Sequence, residues 1–167
     1  STKVDFTAGG GASTVVIGDL DGDGKADLAT ANFNGNSVSV LRNTSSVGTI
    51  SYAAKVDLIA GTDPYPLSIG DLDGDGKAEL VVGNQISNNI SVFRNTSTAG
   101  IISFAAKIDF TTGTNPTSVS IGDLDGDGKG DVAVANGNSN TVSIFRNTSS
   151  IGSISYEAKV DIATGTS

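Results

Sequence analysis

The chain has 167 residues, 22 of them Gly, and contains no Cys, His, Met or Trp. This composition excludes disulfides, thiolate metal sites and the commonest catalytic base. The net charge of −8 argues against a nucleic-acid partner. No run of 18 apolar residues is present, so we expect no membrane insertion. The length suits one domain over 1–167.

An internal repeat of 52 residues organises the whole sequence. The segment 18–25, with the sequence GDLDGDGK, recurs unchanged at 70–77 and 122–129. A shorter motif beginning at Lys3 recurs with the same spacing as far as Lys159. The repeats are therefore assigned to 3–54, 55–106 and 107–158, with a partial fourth repeat at 159–167. Because the chain starts at Ser1 without Met, we expect an excised or engineered three-repeat segment.

Each repeat predicts four short strands in chain order. In the first strand, apolar residues such as Val15 and Ile17 alternate with others. The second strand, at 28–31, follows an acidic loop. The third covers 37–41, and the fourth has a period of two from Ile102 to Phe110. The second and third strands are apolar on both faces, which is typical of a sheet between two other sheets. The sequence therefore predicts an all-β fold with three four-stranded antiparallel β-propeller blades.

The acidic loops hold twelve of the 18 acids of the chain. Carboxylates occupy loop positions 1, 3, 5 and 9, and Gly at positions 4 and 6 lets the backbone turn around an ion. Calcium prefers six to eight oxygen ligands, so alternate side chains and the carbonyl of position 7 suit it better than they suit magnesium. A plain Asp-Gly turn is the alternative, but it needs fewer acids. The predicted ligands, with each Lys contributing its carbonyl, are Asp19, Asp21, Asp23, Lys25, Asp27, Asp71, Asp73, Asp75, Lys77, Glu79, Asp123, Asp125, Asp127, Lys129 and Asp131.

These loops differ from an EF-hand, which requires a Glu at position 12 and two flanking helices. Position 12 is Thr30, Val82 or Val134, and each of these lies inside a predicted strand. We therefore expect the shorter calcium loop of a β-hairpin and about three Ca²⁺ per chain, one for each loop.

The acidic motif followed by a strand that ends in FRNTS resembles the FG-GAP-like or VCBS repeat. The resemblance covers essentially the whole chain. It implies a β-propeller of the integrin-α type, as in related bacterial surface proteins and fungal lectins, with calcium on the loop ligands named above. The Phe-Gly and Gly-Ala-Pro elements of the family are missing. Three repeats are also fewer than the family's usual ring of about seven blades. Known propellers have from four to eight blades.

We do not expect an enzyme, because the clustered carboxylates are committed to calcium and no His or Cys is present. The other acids, such as Asp57 and Asp109, are interpreted as one solvated position beside Lys on the fourth strand. The sequence predicts a calcium-stabilised scaffold or adhesion module that is extracellular or on a cell surface, secreted and bacterial.

The alternative function is that of a calcium-dependent lectin, which would bind a glycan. A protein ligand is a further alternative. Its ligand face would be the blade end opposite the acidic loops, where the repeats differ most. Phe33 and Tyr65 are the candidate ligand-binding residues on that face. At the other end, Asn43, Asn95 and Asn147 begin N-x-[ST] sequons, which we interpret as turn chemistry.

Three blades in one chain also predict a partner, because an open row leaves two apolar sheet faces in water. Known propellers have from four to eight blades. We therefore expect a homodimer that closes a six-bladed ring, so that each chain is half of the propeller. The duplicated strand motif at Lys3 and Lys159 would contribute one copy to each junction.

Overall fold

The computed structural model describes residues 3–165, and within them it contains twelve β-strands and no helix. Sheet 1 consists of β1 (Ala12–Gly18), β2 (Asp27–Asn32), β3 (Ser37–Leu41) and β4 (Val56–Ile59). Sheet 2 consists of β5 (Pro64–Gly70), β6 (Glu79–Asn84), β7 (Asn89–Phe93) and β8 (Ile108–Thr111). Sheet 3 consists of β9 (Pro116–Gly122), β10 (Asp131–Asn136), β11 (Thr141–Phe145) and β12 (Val160–Ala163). The prediction of an all-β fold with three four-stranded blades is confirmed.

All three sheets have the same topology: consecutive strands pair antiparallel in chain order. In sheet 2 the register aligns Ser68 with Val81, Val81 with Val92 and Val92 with Ile108. The positions 52 residues earlier and later are aligned in the same way in the other two sheets. The exact spacing of the repeat therefore produces three copies of one blade, which do not close into a ring within the described residues. No helix long and apolar enough to cross a bilayer is found in the part of the chain that the structure describes.

The hydrophobic core lies between the sheets rather than inside any one of them. One cluster joins sheet 1 to sheet 2, and a second cluster joins sheet 2 to sheet 3. In β6, Leu80 and Val82 belong to the first cluster while Val81 belongs to the second. Because side chains alternate across a strand, a strand buried on both faces needs consecutive apolar residues. This confirms the interpretation of the second and third strands.

The fourth strands are shorter than the sequence predicts. Only Ile108–Thr111 forms β8, whereas Ile102 and Phe104 lie in the loop before it and pack against the core between sheets 1 and 2. The loop is closed by isolated bridges, such as Asn95 with Phe104. The prediction of one continuous strand from Ile102 to Phe110 was therefore wrong. The first half of this alternating pattern belongs to a loop that packs on the core.

The two copies of the terminal strand motif have different fates. Residues 160–163 form β12 beside β11, so the partial fourth repeat supplies the outer strand of sheet 3. Residues 3–8 are not in a strand. Each outer strand therefore belongs to the repeat that follows its blade, and the sheets extend over 12–59, 64–111 and 116–163.

Candidate metal-binding loops

The acidic loops connect the first and second strands of each sheet, and we call residues 19–27 loop 1, 71–79 loop 2 and 123–131 loop 3. In loop 1, Gly22 and Gly24 have positive φ values of 76° and 85°. Both Gly residues donate their N–H to the Asp19 carboxylate, over 2.7 and 2.8 Å. Loops 2 and 3 repeat these bonds. The two Gly residues are needed because other residues rarely adopt this backbone conformation.

The carboxylate at position 9 is buried and joins each acidic loop to a second loop. Asp27 accepts hydrogen bonds from Leu20 N, at 2.9 Å, and from Asn43 N, at 2.7 Å. Glu79 and Asp131 accept from the equivalent amides of loops 2 and 3. Asn43 belongs to the loop between the third and fourth strands. We call these loops the outer loops; they cover 42–55, 94–107 and 146–159.

Three carboxylates converge in each loop, with oxygens within 4.8 Å of one another. In loops 1 and 2 they come from positions 1, 3 and 9, and in loop 3 they come from positions 1, 3 and 5. The structure therefore brings together Asp19, Asp21 and Asp27; Asp71, Asp73 and Glu79; and Asp123, Asp125 and Asp127. Asp23, Asp75 and Asp131 lie in the same loops but outside these groups. The Lys25, Lys77 and Lys129 amides donate to the carboxylates at position 5.

The electrostatics of loops 1 and 2 favour a bound cation. Burial raises the pKa of Asp27, and it raises the pKa of Glu79 to about 7 against the effect of two backbone N–H donors. The nearby Asp73 and Asp75 carboxylates raise the Glu79 pKa further. Among the described residues, no Lys or Arg forms an ion pair with the acids of these two loops. The candidate metal-ligand atoms are all carboxylate oxygens, which fits a hard cation such as Ca²⁺.

Loop 3 differs because Arg146 lies over it. The guanidinium bonds Asp125 over 2.5 Å and Asp127 over 3.3 Å, and it also pairs with Glu157. This pairing holds the pKa of Asp125 below its usual value. Loop 3 is also the only acidic loop without a following sheet in the described chain, so Asp125 is exposed whereas the equivalent Asp21 and Asp73 are buried.

The following sheet contributes directly to loops 1 and 2. Gly100 N, in the outer loop of sheet 2, donates to Asp21 Oδ2 at 2.9 Å. Asn95 of the same outer loop is buried, and its Nδ2 donates to the Leu20 carbonyl at 2.9 Å. Gly152 and Asn147 make the same bonds to loop 2. Asn95 and Asn147 of the sequons thus join neighbouring sheets, a role that turn chemistry alone did not predict.

The acids of the fourth strands are exposed and lie beside Lys, as the sequence suggested, but each also accepts a hydrogen bond from a buried Ser. Asp109 is exposed, and its Oδ1 accepts a 2.6 Å hydrogen bond from the Ser91 hydroxyl. Ser91 is buried and accepts a hydrogen bond from Asn84 Nδ2. The same Asn-Ser-Asp chain crosses sheets 1 and 3. Each of these Asp residues pairs with the Lys two residues before it, and this pairing and the Ser bond lower the pKa of Asp57 and Asp161.

The opposite end of the sheets carries the two aromatic residues that the sequence proposes as ligand contacts. Phe33 lies in the turn between β2 and β3, where its N–H donates to the Gly11 carbonyl. Tyr65 lies at the start of β5. Both are partly exposed. The connections between sheets lie at the same end: Asp63, in the segment that joins β4 to β5, accepts a hydrogen bond from Gln85 N in the turn after β6.

Three identical antiparallel sheets stacked face to face, each with an acidic hairpin loop at one end, define a β-propeller-like module. The model of the FG-GAP-like repeat matches residues 19–82 and 71–134, which together span more than half of the chain. The chain therefore belongs to the FG-GAP-like repeat family, as its resemblance implied. Repeats of this family often bind Ca²⁺, are generally non-catalytic and occur in extracellular or surface proteins. No curated protein matches the chain significantly.

Proposed function

We propose that the chain is a calcium-stabilised, non-catalytic propeller module of a secreted or cell-surface protein, with a scaffold or adhesion role. The observation that carries this proposal is the buried acid at position 9 of loops 1 and 2, which lies among other carboxylates without a basic partner in the described chain. Divalent calcium in each loop would offset this repulsion. Three such ions would change the net charge from −8 to −2.

Calcium would be held by the carboxylates that converge in each loop, together with the position 5 acid and the position 7 carbonyl. The role of the ion is structural: it would join the two ends of the acidic loop and, through Asp21 and Asp73, fix the next outer loop. Because the folded loop exists only in the native state, calcium binding adds to the free energy of unfolding. Each site adds about 2.7 kcal/mol when free calcium is a hundredfold above its Kd.

We predict about three calcium sites per chain and a lower melting temperature after chelation. Isothermal titration calorimetry of metal-stripped protein counts the sites, and thermal unfolding with and without EGTA measures the stabilisation. Magnesium is the control, since it rarely accepts a cage made only of protein ligands. A chain that takes up no calcium, or whose melting temperature is the same with the chelator, would refute the proposal.

A second candidate function, calcium-dependent glycan binding, is favoured by the exposure of Phe33 and Tyr65 on the end where the repeats differ. Aromatic rings on a rigid framework are suitable surfaces for sugar rings. Glycan-array binding with and without chelator tests this function. Loss of a bound glycan in the Tyr65→Ala variant, with calcium uptake unchanged, would assign the ligand to this face.

A further inference from the structure

The two junctions inside the chain show which residues one blade needs from the next. Leu20 in loop 1 and Leu72 in loop 2 are each only 2% exposed, because the outer loop of the following sheet covers them. Leu124, the same residue in loop 3, is 60% exposed. The face of sheet 3 that points away from sheet 2 is therefore built like the faces of sheets 1 and 2 that pack on the following sheet. In the described chain no sheet packs against it.

The first strands repeat the same difference. The side chain of Ile69 lies against Gly18, and the side chain of Ile121 lies against Gly70. Gly122, the third member of this series, has no atom of the described residues within 4 Å of the position that a Cβ would take. At the other end of the row, Ile17 is the Ile without a facing Gly, and it is 64% exposed. The two ends thus present the two halves of one contact.

Polar groups at the ends are complementary as well. Asp21 and Asp73 each accept a bond from a Gly amide of the following outer loop. Asp125 instead pairs with Arg146 of its own sheet. Asn95 and Asn147 each make two Nδ2 bonds, one of them to the preceding sheet, whereas in the described chain the Nδ2 of Asn43 bonds only the Ala26 carbonyl. Sheet 1 therefore offers donors at Asn43 and Gly48 that match acceptors on loop 3.

We propose that two copies of the chain associate head to tail, so that sheet 3 of each copy packs on sheet 1 of the other. Leu124 and Gly122 of one copy would meet the outer loop and Ile17 of the second copy, as their equivalents do inside the chain. Two copies give six blades, the only multiple of three within the range of about four to eight blades that propellers adopt. The ring closes with two-fold symmetry and buries both apolar ends. The association does not depend on the calcium function proposed above.

Residues 3–8 mark the place that the second copy would occupy. Phe6 packs edge to face on Tyr52 with ring centroids 4.8 Å apart, and Phe110 packs in the same way on Tyr156 at 4.9 Å. Phe110 belongs to the outer strand of the preceding sheet, so Phe6 lies where that strand would be. In the ring, either this segment or β12 of the second copy forms the outer strand at each junction. Pairing beside β11 would give Asp5 the Ser hydroxyl that Asp161 has now.

Light scattering at low micromolar concentration, in calcium buffer, tests the association. The expected mass is twice that of one chain. The Ile17→Asp variant places a charge at the proposed contact and should reduce the mass to that of one chain. Ile86→Asp is the matched control. Ile86 is as exposed as Ile17 but lies in a turn of the middle sheet, so this variant should keep the mass of two chains. A single-chain mass for the parent protein, or a mass that keeps rising with concentration, overturns the proposal.

Engineered disulfides test the geometry, since the chain has no Cys of its own. A Cβ on Gly70 would lie 3.6 Å from Ile121 Cβ, and disulfides span Cβ distances of about 3.5–4.5 Å. The Gly70→Cys, Ile121→Cys double variant should therefore oxidise within one chain. The Gly122→Cys, Ile17→Cys double variant should instead yield a covalent pair of chains on a non-reducing gel. Single chains or a ladder of multimers in the second variant, with the first variant closed, would contradict a two-copy ring.

Discussion

At the scale of single residues, Tyr156 places a hydroxyl in the aromatic contact between sheets 2 and 3. Its ring lies edge to face with Phe110 and Phe145, at centroid distances of 4.9 and 5.8 Å. The buried hydroxyl has no hydrogen-bond partner among the described residues. Burial, with the nearby Glu79 and Asp131 charges, raises the pKa of this phenol. A buried polar group without a partner reduces stability.

We predict that Tyr156→Phe raises the free energy of unfolding by about 1 kcal/mol, because it removes an unpaired hydroxyl and keeps the ring. The equivalent residue of the middle repeat is already Phe104. Urea denaturation followed by circular dichroism measures the change, and Tyr52→Phe, at the more open end of the row, is the control. A clear loss of stability in Tyr156→Phe would mean that the hydroxyl has a partner.

The sequence predicted most of the acidic loop at this scale, because the spacing of acids and Gly is a local property. It did not predict the roles of Asn95 and Asn147, whose Nδ2 groups reach carbonyls 75 residues away in the chain. Long-range bonds leave no local pattern. A signal was nevertheless present: each Asn is repeated at a fixed distance from its acidic loop.

At the scale of strands, the polar chain Asn84–Ser91–Asp109 connects three strands of sheet 2 at right angles to their direction. The Ser91 hydroxyl accepts from Asn84 at 2.9 Å and donates to Asp109 at 2.6 Å. Since Ser91 is fully buried, its hydroxyl is the link through which the second and fourth strands are fixed to the third. A small polar residue in a buried strand is thereby explained.

We predict that Ser91→Ala lowers the free energy of unfolding by about 1–3 kcal/mol, because the buried Asn84 and the Asp109 carboxylate each lose a partner. Ser118→Ala, at an exposed position of β9, is the matched control and should change stability little. Both variants are compared by urea denaturation. Equal stability of the two variants would show that water replaces the hydroxyl without cost.

The strands also show where sequence patterns are ambiguous. The third strand over 37–41 was predicted with its observed bounds, because polar turns flank it on both sides. The fourth strand was predicted too long, since Ile102 and Phe104 keep a period of two in a loop. Periodicity reports which side chains are buried, and a loop packed on a core produces the same alternation as a strand.

At the scale of the whole molecule, the described sheets pack mainly on their neighbours, so each depends on the next more than on the rest. The cores confirm this: one joins sheets 1 and 2, and the other joins sheets 2 and 3. The repeat made this arrangement predictable from sequence. The assembly beyond one chain stays a prediction, because the residues at the two ends are the same types as those at the internal junctions.

We predict that Asp75→Ala removes one calcium site and leaves two, because Asp75 bonds only within loop 2, to the Asp73 and Lys77 groups. The damage should extend in one direction. Loop 2 is joined to the outer loop of sheet 3 through the bond from Gly152 N to Asp73 Oδ2, at 2.8 Å. Loop 1 is less directly joined to Asp75: its partner, Gly100, lies in the outer loop of sheet 2 at 94–107, and that loop bonds loop 2 at Glu79 and Ala78.

Hydrogen exchange with mass spectrometry, alongside calorimetric calcium titration, distinguishes local from global damage in this variant. Amide protection should fall in 71–79 and in the outer loop 146–159, and it should be unchanged in 19–27. Asp5→Ala, which changes an exposed acid outside all the loops, is the control and should keep about three sites. If Asp75→Ala abolished calcium binding at every loop, or exposed loop 1 as much as loop 2, the blades would be one cooperative unit. Nearest-neighbour coupling would then fail as a description of this fold.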